Sequence, residues 1–140
     1  MTALTTDTSR VYELGVTNEF PVAANAIIYE GAAVGDNGSG YSRPLQSGDS
    51  FRGFADRHAD NSAGGDGEKN IRVRKKGSIL LDIAGVTLAD VGKPVYALDD
   101  NTFTLSSGGG ASYIGQVSRL ETSGKAVVDF YAYAHVPVTP

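Results

Sequence analysis

Apolar and polar positions alternate with period two along most of this chain. Ile71, Val73 and Lys75 point one way, and Arg72, Arg74 and Lys76 the other. After Gly77, Ile79, Leu81 and Ile83 alternate with Ser78, Leu80 and Asp82. Alternation at 180° per residue marks a half-buried strand, and the glycine between the runs predicts a tight connection. Residues 87–92 are short and polar, with room for one helical turn. Residues 94–98 and 102–105 read as two more strands around an Asp99-Asp100-Asn101 turn. The four strands together predict a β-meander.

The same pattern recurs on either side. Residues 1–10 are mostly Thr, Asp and Ser and predict a mobile arm. Residues 10–16 read as a strand with Tyr12, Leu14 and Val16 on one face. Phe20 precedes Pro21 and is held extended. Residues 26–30 form a short buried strand, and 31–34 lead into the next. Asn37-Gly38 is a strong hairpin signal. Pro44 places residues 41–45 at a sheet edge or strand end. Residues 51–56 are a strand in which Gly53 marks a bulge or a close backbone approach. The polar, glycine-rich stretch 57–69 is a long loop of the kind that is functional or disordered. Residues 113–120 and 125–131 are the last strong strands, and 132–140 form an extended tail whose prolines exclude a central strand.

Roughly ten short strands with regular turn signals predict one all-β domain over residues 1–140, a jelly-roll-like β-sandwich with flexible terminal arms. A small closed β-barrel is the alternative. Eighteen glycines among 140 residues fit such a loop-rich fold. No linker divides the chain and no period repeats.

Charge and thiol content narrow the chemistry. Twelve Lys and Arg against sixteen Asp and Glu give a net charge of −4, which predicts neither nucleic-acid binding nor disorder. With no cysteine, disulfides, thiolate catalysis and Cys-based metal sites are excluded. The start lacks the basic and apolar regions of a secretory signal. No apolar run approaches the ~18 residues of a membrane helix. A soluble protein made in the cytoplasm is expected, with no membrane partner.

Candidate sites are few. Arg72, Arg74, Lys75 and Lys76 form a basic cluster, but no aromatics interleave to stack on bases, so a solvated face or a charged protein contact is expected. His58 and His135 are the only histidines and match no zinc spacing. Asp60-Asn61-Ser62-Ala63-Gly64-Gly65-Asp66-Gly67-Glu68 has the composition of a calcium loop but not the EF-hand spacing. No glycine cluster is a phosphate loop, and no nucleophile–base constellation appears. Neither catalytic residues, a cofactor nor a metal is expected, and the protein reads as a non-enzyme. Apolar and aromatic residues near the two ends are the better interface candidates: Tyr12, Leu14 and Phe20 at the start, Tyr131 and Tyr133 at the finish, with Arg72 and Arg74 between.

Several stretches resemble the capsid cement, or head decoration, proteins of tailed bacteriophages. These are Gly53-Phe54-Ala55, Asp60-Asn61-Ser62-Ala63-Gly64, Ile71-Arg72-Val73-Arg74, Gly92-Lys93-Pro94-Val95-Tyr96-Ala97, Asp99-Asp100-Asn101-Thr102-Phe103, Ile114-Gly115-Gln116-Val117 and Ala126-Val127-Val128-Asp129-Phe130. The resemblance spans about residues 26–131 and rests on many small features. It implies a structural virion protein on the outer surface of the icosahedral capsid, bound across junctions of the major capsid protein as a homodimer or homotrimer. It also implies that the protein stabilises the shell. A β-sandwich module binding a carbohydrate or receptor is the alternative function; the absence of Trp weakens the sugar reading, and seven Tyr keep it open.

Overall fold

A bulge in the fifth strand explains how the core is filled. Phe51 and Phe54 are three residues apart, an odd spacing that puts them on opposite faces of a regular strand. Opposite them, Val34 pairs with Gly53 but Gly35 pairs with Phe51, so one extra residue is inserted at Arg52. The insertion turns both phenylalanines inward, where their rings meet edge to face at 5.4 Å. Gly53 pays for this with φ +119.

The computed structural model describes residues 3–11 and 13–132. Twelve strands follow in order: β1 Thr17–Pro21, β2 Ile27–Ile28, β3 Ala33–Asp36, β4 Ser42–Pro44, β5 Ser50–Ala55, β6 Ala59–Asp60, β7 Asn70–Arg74, β8 Lys76–Asp82, β9 Pro94–Ala97, β10 Phe103–Thr104, β11 Ser112–Thr122 and β12 Lys125–Tyr131. One 3-10 turn at Leu88–Asp90 fills the polar stretch where a single helical turn is expected, and another lies at Gly108–Gly110.

The strands make two five-stranded sheets, β1-β7-β5-β3-β4 and β10-β9-β11-β12-β8, and a two-stranded ribbon, β2-β6. The fold is an all-β sandwich, as expected, and neither large sheet closes into a barrel. Phe51, Phe54, Ala33 and Leu45 from the first sheet pack against Ile83, Val95, Ile114, Val128 and Phe130 from the second. The ribbon covers the other face of the first sheet, over Val22, Ile28, Val34, Ile71 and Val73, all fully buried. Each such side chain contributes about 1.5–3 kcal/mol by leaving water. Ser112 Oγ donates to the Asp49 carbonyl at 2.6 Å and ties the sheets together.

The expected meander does not form. β7 and β8 do not turn back on each other. They run on from one sheet into the other, changing sheet at Lys75, and Gly77 lies inside β8. β8 instead pairs with β12 over seven residues, from Lys76↔Tyr131 to Asp82↔Lys125. That ladder, formed with a strand some fifty positions away, outcompetes a local hairpin. Of the four strands only β9 and β10 are paired to each other. The long loop after β5 is neither free nor structureless: it holds β6 and is strapped to the end of β1. Val22 N–H donates to the Lys69 carbonyl and Gly67 N–H to the Val22 carbonyl.

Candidate functional site

The ladder of β1 on β7 stops at one residue. Thr17 pairs with Arg74, and beyond it Lys75 N–H donates to the Val16 carbonyl at 2.9 Å. The Lys75 carbonyl, on the same side of its strand, accepts from Ala132 N–H at 2.6 Å, and Lys76 then pairs with Tyr131. So β12 takes up the side of the strand that β1 leaves. The next residue of the arm would compete with Tyr131 for that place. Gly15 adopts φ +80 and turns the arm away over Lys76.

The strand expected over residues 10–16 is therefore absent: 3–11 and 13–16 carry neither helix nor strand. Two of its apolar side chains find no cover. Val11 is 97% and Leu14 95% exposed. Among the described residues, the first and last backbone bonds of the sandwich thus lie side by side on Lys75. Tyr131 is 46% exposed at this spot, and Arg74, opposite Thr17, is exposed as well. Lys75 and Lys76 add positive charge.

Leu14, Arg74 and Tyr131 are thus all within two residues of the point where Val16 and Ala132 meet Lys75. Phe20 and Arg72 are not. Phe20 is half-buried against the ribbon-side core, with the Arg52 guanidinium 4.2 Å above its ring. Arg72 grips Asp56 with two hydrogen bonds, Nε to Oδ2 at 2.9 Å and Nη2 to Oδ1 at 3.2 Å. This hydrogen-bonded pairing holds the Asp56 carboxyl below its ordinary range against the opposing effect of burial, with the charges of Arg72, Arg74 and Arg57 adding to it. Tyr12, Tyr133 and the tail with His135 lie outside the described residues. Val11 and Val16 are exposed as well, though sequence did not single them out as contacts; the arm's alternation put Val11 on the face opposite Leu14, so only the loss of the strand exposes both.

Two other places carry polar groups. His58 lies against the Tyr29 ring, centroids 5.4 Å apart, and Tyr29 is 60% exposed. Beside it a cleft of about 440 Å³ is lined by Tyr29, Glu30, Asp100 and Asn101. Burial, and then the neighbouring Asp99, pushes the Asp100 carboxyl up. Among the described residues no group of three or more His, Asp or Glu side chains converges as metal ligands, and no helix is long and apolar enough to cross a membrane.

No protein-family model, curated protein or solved structure matches this chain.

Proposed function

We propose that this protein is a capsid cement protein, binding the outside of an icosahedral phage head across junctions of its major capsid protein and stabilising the shell. The observation that carries the reading is the apolar arm, with Val11 and Leu14 left in solvent just ahead of the bond from Lys75 to Val16. An isolated domain gains nothing by presenting such side chains, whereas a domain docked on a larger surface buries them. The resemblance of residues 26–131 to head decoration proteins names the surface. A ligand that binds only the assembled lattice stabilises it by mass action. Self-association into a homodimer or homotrimer multiplies weak contacts through effective concentration. The work is done by contact, without an enzymatic step or a cofactor, and without nucleic acid or membrane as partner.

The test is co-sedimentation of the purified protein with phage heads that lack it, followed by image reconstruction of the decorated particles. Regular external density over capsid-subunit junctions supports the reading. Failure to sediment with expanded heads overturns it. Removing residues 1–14 is expected to weaken binding at least tenfold, the equivalent of ~1.4 kcal/mol, while the domain stays folded.

The cleft beside Tyr29 favours a second reading, a sandwich module that binds a carbohydrate or receptor. An exposed aromatic face next to the polar groups of Glu30, Asp100 and Asn101 fits a sugar ring. Saturable glycan binding that Tyr29→Ala abolishes, with no binding to heads, selects this reading instead.

A further inference from the structure

Asn61 is 1% exposed, and its two ends are treated differently. Its amide nitrogen donates to three carbonyls: Ala23 at 2.9 Å, Gly65 at 3.0 Å and Val22 at 3.3 Å. Its Oδ1 is the one buried side-chain oxygen or nitrogen among the described residues without a hydrogen-bond partner. The amide cannot be turned over to relieve this, because Oδ1 would then face the three carbonyls. An unpaired buried acceptor costs about 1–3 kcal/mol and calls for an explanation.

The surroundings of Oδ1 supply one. Gly64 has no side chain, and the space its Cβ would take is bordered by both Asn61 Oδ1 and Glu68 Oε2. Two acceptors, one of them a carboxylate oxygen, therefore lie close together on the same flank of Gly64. The place opens into a surface cavity of about 270 Å³ that Asp60 and Ser62 also line. Asp60 Oδ1 accepts from Ser62 N–H at 2.9 Å, so that carboxylate is held at the rim. The loop is stiff as well as acidic: Asp66 Oδ1 accepts from Ala24 N–H at 2.8 Å, and Gly64 and Glu68 N–H are bonded within the loop.

We propose that the loop from Asp60 to Glu68 binds a hard divalent cation of the calcium class, with Asn61 Oδ1 and the Glu68 carboxylate as its protein ligands. A cation satisfies both oxygens at once, and uncharged amide plus carboxylate oxygen is a donor set calcium accepts. Water completes most of the shell, and Lys69 at the rim opposes the charge. Affinity is accordingly low, in the millimolar range of weak calcium modules. The bound ion clamps the loop to the end of β1, because Asn61 is already bonded to the carbonyls of Val22 and Ala23.

The test is thermal unfolding of the full chain, stripped of metal, in rising calcium. The midpoint is expected to climb by about 3–5 °C near saturation. Glu68→Gln, which keeps shape and removes charge, is expected to abolish the rise, whereas Glu121→Gln, at an exposed acid elsewhere, retains it. Terbium provides a second readout: tyrosine-sensitised emission is expected, since the Tyr41 ring lies against Gly67, and it is lost in Glu68→Gln. Asn61→Ala removes three hydrogen bonds and threatens folding itself, so the test does not depend on it. An unchanged midpoint in calcium, or an equal rise in Glu68→Gln, overturns the proposal and leaves a bridging water as the partner of Oδ1.

Discussion

Val16 and Ala132 are bonded to the same residue, one to the N–H of Lys75 and the other to its carbonyl. Positions 116 residues apart in the chain thus meet at one point of one strand. The meeting separates the sandwich from its arm. The β1 ladder begins at Thr17, and the described residues before Gly15 make no backbone bond to it. Deleting residues 1–14 is therefore expected to leave the thermal midpoint within about 2 °C of the full chain. Extending the deletion through Val16 removes a ladder bond and costs about 1 kcal/mol. Calorimetry of the two truncations distinguishes these outcomes, and an arm that matters to folding would lower the midpoint already in the shorter one.

Gly53 is predicted to be the least replaceable glycine in the first sheet. Its φ is +119, and a Cβ there would run into the Arg74 carbonyl. Gly31 has a similar φ of +88, but nothing lies within 4 Å of the place its Cβ would take. Gly31→Ala is expected to cost the left-handed penalty alone, about 1–2 kcal/mol. Gly53→Ala must also push β5 off β7, and loses about 3 kcal/mol or more. Urea unfolding of both variants measures the difference; equal losses would mean that the close approach to Arg74 carries no energy.

These two glycines also bear on what the sequence could reveal. Gly53 stands out within an apolar run, and both roles expected of it, bulge and close approach, are present. The Asn37-Gly38 hairpin and the β12 boundaries are legible for the same reason: local chemistry decides them. The fate of residues 10–16 is not local. Their alternation is as good as that of β7, but β12 fills the only place beside Lys76 where they would continue the ladder. The same non-local choice sends β8 to β12 and breaks the meander. Arg72 and Arg74 look equivalent as residues, and only the fold brings Asp56 beneath one of them. Asn61 lies in a loop whose composition pointed to a cation, yet spacing could not show that its oxygen is buried and unpaired.

Among the described residues, Asp49 is the most buried carboxylate in an ion pair, and its partner is Arg43. Asp49 is buried, and accepts from Arg43 Nη2 at 2.7 Å, Arg43 Nε at 3.0 Å and the Gln46 N–H at 3.0 Å. Gly35 packs against its carboxyl. Arg43→Ala leaves that carboxylate without its cation and is expected to cost about 3–4 kcal/mol. Lys125→Ala, which breaks the exposed pair with Asp82, is expected to cost under about 1 kcal/mol. Denaturant midpoints of the two variants give the comparison, and similar losses would contradict it.

Acid should destabilise the sandwich, with one carboxyl working the other way. Asp56 is held low chiefly by its hydrogen bond from Arg72, and Asp90 chiefly by that from Lys93 and then by the Thr87 N–H. Their contribution is present above the ordinary carboxyl value of about 3.9 and is lost as pH falls through their lower folded values. Asp100 is raised, so its folded form prefers the proton; the cost of ionising it builds as pH rises from about 3.9 through the raised value and is present in full above that. Asp100→Asn is expected to raise the midpoint by about 2 °C near neutral pH, and to give no gain below about pH 3. A gain that persists in acid would assign it to packing instead.

Arg72 and Arg74 should separate stability from docking. Arg72→Ala frees a carboxylate that is only 13% exposed, through a side chain that is itself 41% exposed. The partial exposure limits the loss to roughly 1 kcal/mol. Arg74 is exposed, one residue before Lys75, so Arg74→Ala is expected to change stability by less than about 0.5 kcal/mol. On phage heads the order reverses. Arg74→Ala, and still more Arg74→Glu, should weaken binding and reduce its dependence on salt, because a charge at the contact is removed. Arg72→Ala should bind like the parent once folded. Sedimentation with heads at two ionic strengths, run beside denaturant unfolding, reads both effects. If Arg72 rather than Arg74 controlled docking, the capsid-facing surface would lie along β7 and away from the place where the arm leaves the sandwich.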